Sequence, residues 1–239
     1  MINDKKVLVI VPARSGSKGL KNKNILQIQG KPLLGWPIAA ALKSKYVDEV
    51  VLSTDSEEYK TIGLEQGAKV PFIRPEDLSG DKVASIDVIF HCIKWFENQS
   101  KYFDIIVFLE PTSPMTEAND IDSALEKLVS STNSTSIVGV TMAECNHPLF
   151  AYKKTTSSLL KPFLNQTGQA VRRQELDDAF YLDGSLYISK IEALKKEKTF
   201  YTENTMGFEF PKWKAFEIDD EIDFEIVKLL MKKYSNDRL

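Results

Sequence analysis

A chain of 239 residues, 43% of them hydrophobic, is long enough for one sizeable core and short enough not to require several domains. Its 31 basic and 34 acidic residues leave a formal net charge of −3, which argues against general affinity for nucleic acid or anionic membrane. Any phosphate binding must come from a local cluster of Lys and Arg, and two cysteines, Cys92 and Cys145, exclude a disulfide framework or zinc site and suit a reducing, cytoplasmic setting.

The polar start runs into the apolar stretch Val7–Val11, too short for a signal-peptide core or a membrane span, and no other stretch approaches that length. A soluble protein is expected. Further short runs rich in Val and Ile follow at Val50–Ser53, Val70–Ile73, Ile105–Leu109 and Ile137–Thr141. They do not alternate with polar residues, as expected of parallel strands covered on both faces. Between them, Ile86, Ile89, Phe90, Ile93 and Phe96 keep helical spacing across Ser85–Phe96, and Ile121, Leu125 and Leu128 do so across Asp120–Val129. This alternation predicts an α/β fold with a doubly wound, mostly parallel, Rossmann-like sheet whose ligands sit beyond the carboxyl ends of its strands. After Thr141 the rhythm breaks. Residues 143–185 read as an arm inserted into a single domain spanning 1–239. Its Phe150, Tyr152, Leu159, Leu160, Phe163 and Leu164 are too apolar for a disordered linker and predict dimer contacts. Regular structure resumes at Ser185–Ser189, and Ile222–Tyr234 closes the chain as an amphipathic helix.

The first strand leads into Pro12-Ala13-Arg14-Ser15-Gly16-Ser17-Lys18-Gly19-Leu20 and then Lys21-Asn22-Lys23-Asn24. Gly16 and Gly19 let backbone N–H groups converge on an anion, Ser17 adds a hydroxyl, and Arg14, Lys18 and Lys23 bring three cations. Arg holds phosphate oxygens bidentately and Lys acts as a point charge, which fits a multiply charged triphosphate. The spacing matches neither GxxxxGK[ST] nor GxGxxG, so it supports neither an ATPase nor a dehydrogenase.

Glu110 ends the Ile105–Leu109 run, and Pro111 and Pro114 enclose Thr112 and Ser113 in a rigid turn at the ligand-bearing edge. Glu110 also reads as a cap of the following helix, and Arg74 before Pro75 as a surface arginine at a turn. Arg172, Arg173 and Gln174 read equally as a solvated face paired with Glu175, Asp177 and Asp178. Glu217 and Asp219, two apart on an extended segment, point to one side and offer hard oxygen ligands for Mg²⁺; the alternative is that Asp219, Asp220 and Glu221 decorate a helix start. His91 and His147 are assigned no chemistry.

In order along almost the whole chain, Pro12–Asn24, Gly30–Leu34, Ser53–Asp55, Arg74–Ser79, Pro111–Pro114, Arg172–Gln174 and Asp183–Tyr187 resemble the motifs of the CMP-sialic acid synthetases. The resemblance extends to members acting on legionaminic- and pseudaminic-type sugars. It implies a homodimeric nucleotidyltransferase that moves CMP from CTP to a nine-carbon 2-keto-3-deoxy sugar acid with Mg²⁺, releasing pyrophosphate for cell-surface polysaccharide synthesis. Arg14, Lys23 and Asp219 would then be catalytic. Arg14, Ser17, Lys18, Gly19, Lys23, Asn24, Arg74 and Ser85 would bind nucleotide, Arg74 at the cytosine ring. Glu110, Ser113, Arg173, Gln174, Tyr187, Phe200 and Tyr201 would face the sugar, and Asp219 with Glu217 would hold the metal. Two positions depart from the family pattern: Glu110 stands where Gln is usual, and Glu217 where Asp is usual. The competing readings are an eight-carbon 3-deoxy-octulosonate cytidylyltransferase and a catalytically silent nucleotide-binding module; the loss of a metal carboxylate would mark the latter, and Asp219 is present.

Overall fold

The computed structural model of the chain describes residues 1–16, 19–144, 146–164 and 176–234. Strand β1 (Val7–Pro12) lies inside the sheet, buried on both faces. It pairs in parallel with β4 (Glu49–Ser53) and β5 (Ile105–Phe108), so Val9 sits opposite Val50 and Val107. Successive β1 side chains enter opposite cores. Val7, Val9 and Val11 pack with residues of α1 (Gly35–Lys43), α2 (Glu57–Glu65) and α4 (Ala118–Ser130). Leu8 and Ile10 pack with residues of α3 (Ser85–Asn98) and α5 (Ile191–Glu197). Both faces are therefore covered by helices, the condition that the uninterrupted apolar runs anticipated.

The six-stranded order is β10-β6-β9-β5-β1-β4, with β6 at Ser136–Met142, β9 at Phe180–Lys190 and β10 at Thr205–Glu209. Strand β9 is antiparallel to both neighbours, an inversion absent from the parallel pattern read off the sequence. No α-helix separates it from β6 among the described residues. Its register against β6 slips between Val138 and Val140, where Gly184 adopts φ +69°.

The expected strand Val70–Ile73 does not form. A single bridge joins Lys69 to Val51, and then Pro71, with no N–H to donate, ends the pairing. Short antiparallel pairs lie outside the main sheet: β2 (Gln27–Ile28) with β3 (Lys31–Pro32), and β7 (Tyr152–Lys154) with β8 (Leu160–Pro162). The second pair belongs to the arm, and Leu159, Leu160 and Phe163 there are more than half exposed.

The last helix, α6 (Glu221–Lys233), begins at Asp220. The Asp220 carboxylate accepts from Ile222 N and Asp223 N, and Asp223 reciprocates at the backbone of Asp220. Its Val227 and Met231 join Ile28, Leu33, Met115 and Ile218 in a third apolar cluster, against which Leu20 of the first loop also packs. That cluster ties the loop after β1 to the segment preceding α6. No helix among the described residues is long and apolar enough to cross a membrane.

Candidate active site

Beyond the carboxyl ends of β1, β4 and β5 opens a cleft of about 510 Å³, lined by Arg14, Gly19, Lys23, Asn24, Arg74, Ser85, Glu110 and Asp219 among others. Residues up to 205 positions apart in the chain meet because parallel strands deliver their following loops to one edge. Ser17, Lys18, Arg173 and Gln174, also candidates from the sequence, lie outside the described residues, as does Cys145.

Of the three loop cations singled out in the sequence, the two that are described, Arg14 and Lys23, are each engaged. Arg14 forms an ion pair with Asp81, a partner that nothing in the sequence signalled from 67 residues away. Lys23 donates to the Ile218 carbonyl at 2.7 Å and to Asp219 Oδ1 at 3.3 Å. Gly19 approaches so closely that a methyl group there would lie 2.6 Å from the Asp219 carbonyl oxygen. The Asn24 side chain lines the cleft, yet its amide N–H is spent on the Arg14 carbonyl at 3.0 Å, bracing the loop. Ser15 is fixed from β4's end, its N–H donating to Asp55 at 2.9 Å.

Arg74 is no surface arginine: it is 4% exposed. Its backbone N–H donates to Thr54 O at 2.7 Å, and its Nε donates to Ser79 Oγ at 3.3 Å. Burial, and secondarily Arg14, weakens its hold on the proton, while Asp55 strengthens it. His91 sits nearby, edge-on to Phe72, held neutral by burial and by the Arg74 charge. Ser85 opens α3 and lines the cleft.

A second cavity of about 290 Å³ adjoins the cleft. Ser85, Phe108 and Glu110 line both, and Tyr187, Phe200 and Tyr201 complete it with Ile86, Lys198 and Thr199. The aromatic residues singled out in the sequence are thus brought together, Tyr187 standing 5.5 Å from Phe200 and 6.2 Å from Phe108 between ring centroids. Burial keeps the Tyr187 hydroxyl protonated, reinforced by the negative charge of Glu110. Lys198, which follows α5 in the left-handed conformation at φ 55°, carries no signal of this place in the sequence.

Glu110, on the wall common to the two cavities, feels other carboxylates, of which Asp219 lines the cleft while Glu217 and Asp183 line neither cavity. Burial raises Glu110 above the usual carboxylate range; Lys23 opposes the shift and Asp219 adds to it. Glu217 is pushed up to about 7, first by burial and then by the charges of Glu110, Asp219 and Asp183. Asp183 is raised too, by burial, although Ser185 N and Thr141 Oγ1 donate to it at 3.0 Å each. Ser113 is buried with its hydroxyl 3.5 Å from Glu217, and like Glu217 it lines neither cavity.

On the segment before α6, Ile218 turns into the third apolar cluster, leaving Glu217 half-buried and the Asp219 side chain 82% exposed. Asp220, by contrast, is consumed as the α6 cap. No group of three or more His, Cys, Asp or Glu arranged to hold a metal occurs among the described residues. A hard cation shared between carboxylates and ligand phosphates still fits the donor set, since Glu217 and Asp219 offer hard oxygen ligands two residues apart.

The sequence matches the cytidylyltransferase family over residues 8–236. It is 31% identical over 228 residues to the CMP-N,N'-diacetyllegionaminic acid synthase of Legionella pneumophila, covering 95% of this chain and 97% of that protein. It is 34% identical over 223 residues to the N-acylneuraminate cytidylyltransferase of Streptococcus agalactiae serotype V, covering 92% of this chain but about half (52%) of that longer protein. Among solved structures, CMP:2-keto-3-deoxy-manno-octonic acid synthetase complexed with CTP superposes with a TM-score of 0.69 over 95% of this chain and 99% of its own, at 20% identity, a likeness of fold.

Proposed function

We propose, from the premise that this chain belongs to the cytidylyltransferase family, that it joins CMP from CTP to the anomeric hydroxyl of a nine-carbon 2-keto-3-deoxy sugar acid of the sialic or legionaminic type. The observation that carries this reading is the pair of adjoining cavities, one cationic at the exit of β1 and one aromatic, with Ser85, Phe108 and Glu110 as their common wall. The hydroxyl oxygen forms a bond to the α-phosphorus and gives up its proton to water, the bond from that phosphorus to the bridging oxygen breaks, and pyrophosphate leaves with the electron pair. Such transfer needs positioning and charge neutralisation more than covalent chemistry by the protein.

In this scheme Arg14 and Lys23, with Ser17, Lys18 and the Gly19 backbone, hold the triphosphate and neutralise the departing pyrophosphate. Each described cation would exchange an internal carboxylate, Asp81 or Asp219, for phosphate oxygen. Arg74, Asn24 and Ser85 receive the nucleoside. Glu110, Tyr187, Phe200 and Tyr201, with Ser113 behind them and Arg173 and Gln174 from the arm, receive the sugar. Asp219 and Glu217 would hold Mg²⁺, which supplies charge stabilisation at the phosphates when bound. A protonated Glu110 can donate to the acceptor where an ionised one would repel its carboxylate, and the buried position favours the proton.

The exposed apolar residues of the β7–β8 arm support a homodimer formed through 143–185 within a single-domain chain. The free, buried Cys92, whose thiol is held protonated by burial, suits a cytoplasmic enzyme supplying CMP-sugar for cell-surface polysaccharide. Pyrophosphate release from CTP, measured against a panel of nine- and eight-carbon sugar acids with and without EDTA, tests the assignment. Mass spectrometry of the product identifies the sugar. Release with an eight-carbon acid alone, or with none, overturns the reading.

A further inference from the structure

Lys214 is 6% exposed and lines neither cavity. Its ammonium donates to Glu117 Oε2 at 2.7 Å and to Asp120 Oδ2 at 2.6 Å. Those acids already form the reciprocal capping pair at the start of α4, so one cation neutralises a helix entry that would otherwise crowd two negative charges. Burying the Lys214 ammonium costs it its hydration before its attraction to the two partly exposed acids is counted, which makes this triad weak evidence for stability alone.

Its location suggests another role. Lys214 ends a short 3-10 turn (Lys212–Lys214) just ahead of Glu217 and Asp219. Past Lys214, the same segment is fastened again: Ile218 N donates to Thr112 O at 2.9 Å, and Ser113 Oγ lies against Glu217. Every one of these partners belongs to the 112–120 stretch, which leaves β5 directly after Glu110. The segment bearing two carboxylates is thus secured at both ends to the turn that carries the third.

We infer that Lys214 is a positioning residue, fixing where residues 214–219 cross the β5–α4 turn and thereby the placement of Glu217 and of Asp219, which lines the cleft. The inference rests on the reading of those carboxylates as ligands of a divalent cation taken up with CTP. Outer partners of metal ligands commonly govern affinity by ~10–100-fold, and Lys214, on the same short segment, would act on both carboxylates through the backbone.

The test measures Mn²⁺ uptake in the presence of CTP by electron paramagnetic resonance, for the wild type, Lys214→Met, Lys214→Arg and the triple variant Lys214→Met/Glu117→Gln/Asp120→Asn. The triple variant strands no buried charge, so it separates loss of aim from loss of fold. Weakening of Mn²⁺ affinity by about tenfold in Lys214→Met and in the triple variant, with partial recovery in Lys214→Arg, supports the inference. The half-saturating Mg²⁺ concentration in turnover should rise in parallel, whereas a purely structural loss lowers only the active fraction. Should both neutral variants fail to fold, Lys214→Arg decides: a shift of roughly threefold supports the inference, and wild-type affinity overturns it. Unchanged affinity in a folded triple variant also overturns it. Absence of Mn²⁺ uptake by the wild type itself overturns the underlying metal reading as well, so the two failures are distinguishable.

Discussion

Lys23 and Asp219 touch, and under the proposed function each would release the other when nucleotide and metal arrive. Exposed as Asp219 is, the pair contributes little to stability, so its loss should register in turnover and leave the fold intact. Lys23→Ala and Asp219→Ala are expected to keep the wild-type circular dichroism and melting behaviour while losing at least ~100-fold in pyrophosphate release, the scale seen when one electrostatic stabiliser of a transition state is removed. Near-normal turnover in either variant removes that residue from the mechanism. Glu217 yields a separate expectation. Its folded pKa of about 7 lies above the ordinary 4.5, so the folded state binds its proton more tightly than the unfolded state does. The stability this provides is complete below 4.5 and is lost as pH rises through about 7, with Glu110 and Asp183 shifted in the same direction. With EDTA present, the melting temperature should fall between about pH 5 and pH 8, and Glu217→Gln, neutral throughout, should flatten that fall. Parallel slopes for the two proteins would contradict the burial of Glu217 among acids.

Among the elements, the turn at Gly184 sets the strictest condition. A methyl group there would lie 1.4 Å from Glu217 Oε1, on a backbone already at φ +69°. The backbone conformation alone costs an L-residue about 1–2 kcal/mol, so Gly184→Ala should melt several degrees lower and, with Glu217 displaced, lose most of its pyrophosphate release. A variant melting with the wild type would show that the carboxylate does not rest against this turn. Strands with long apolar runs were legible in the sequence because both of their faces are buried; α3, α4 and α6 were legible because a polar face breaks the run at helical spacing. The short helices α1 and α2, and β10, escaped: α1 is apolar nearly all round, and β10 carries Gly207 and an exposed Glu209. Val70–Ile73 misled because composition does not register the missing N–H of Pro71. Of the site, the loop after β1, Arg74, Glu110 and the aromatic residues could be read from motif order. Asp81, Lys198 and the Lys214 triad could not, since pairings across tens of residues depend on the topology that creates them.

At the scale of the molecule, the apolar arm is the feature that one chain alone does not satisfy. Leu160 is 66% exposed and Phe163 56% exposed on the β7–β8 hairpin, and Phe180 and Leu182 emerge nearby in sequence at the outer end of β9. Light scattering after size exclusion is expected to give twice the 27.1 kDa mass of the chain, and Leu160→Asp/Phe163→Asp is expected to give the single mass. A wild-type monomer would refute the arm as a dimer contact.

Strand β9 has a consequence for how acceptor preference can change. Its outer residues face solvent, the following ones are buried, and Tyr187 is locked opposite both Phe108 and Val138. A strand held from both sides cannot creep by one position without turning that ring out of the aromatic cavity, which the proposed function gives to the sugar. Remodelling of the acceptor pocket must therefore proceed by swapping side chains in place, and whatever grips the projecting end of β9 holds the measuring edge of the pocket at the same time.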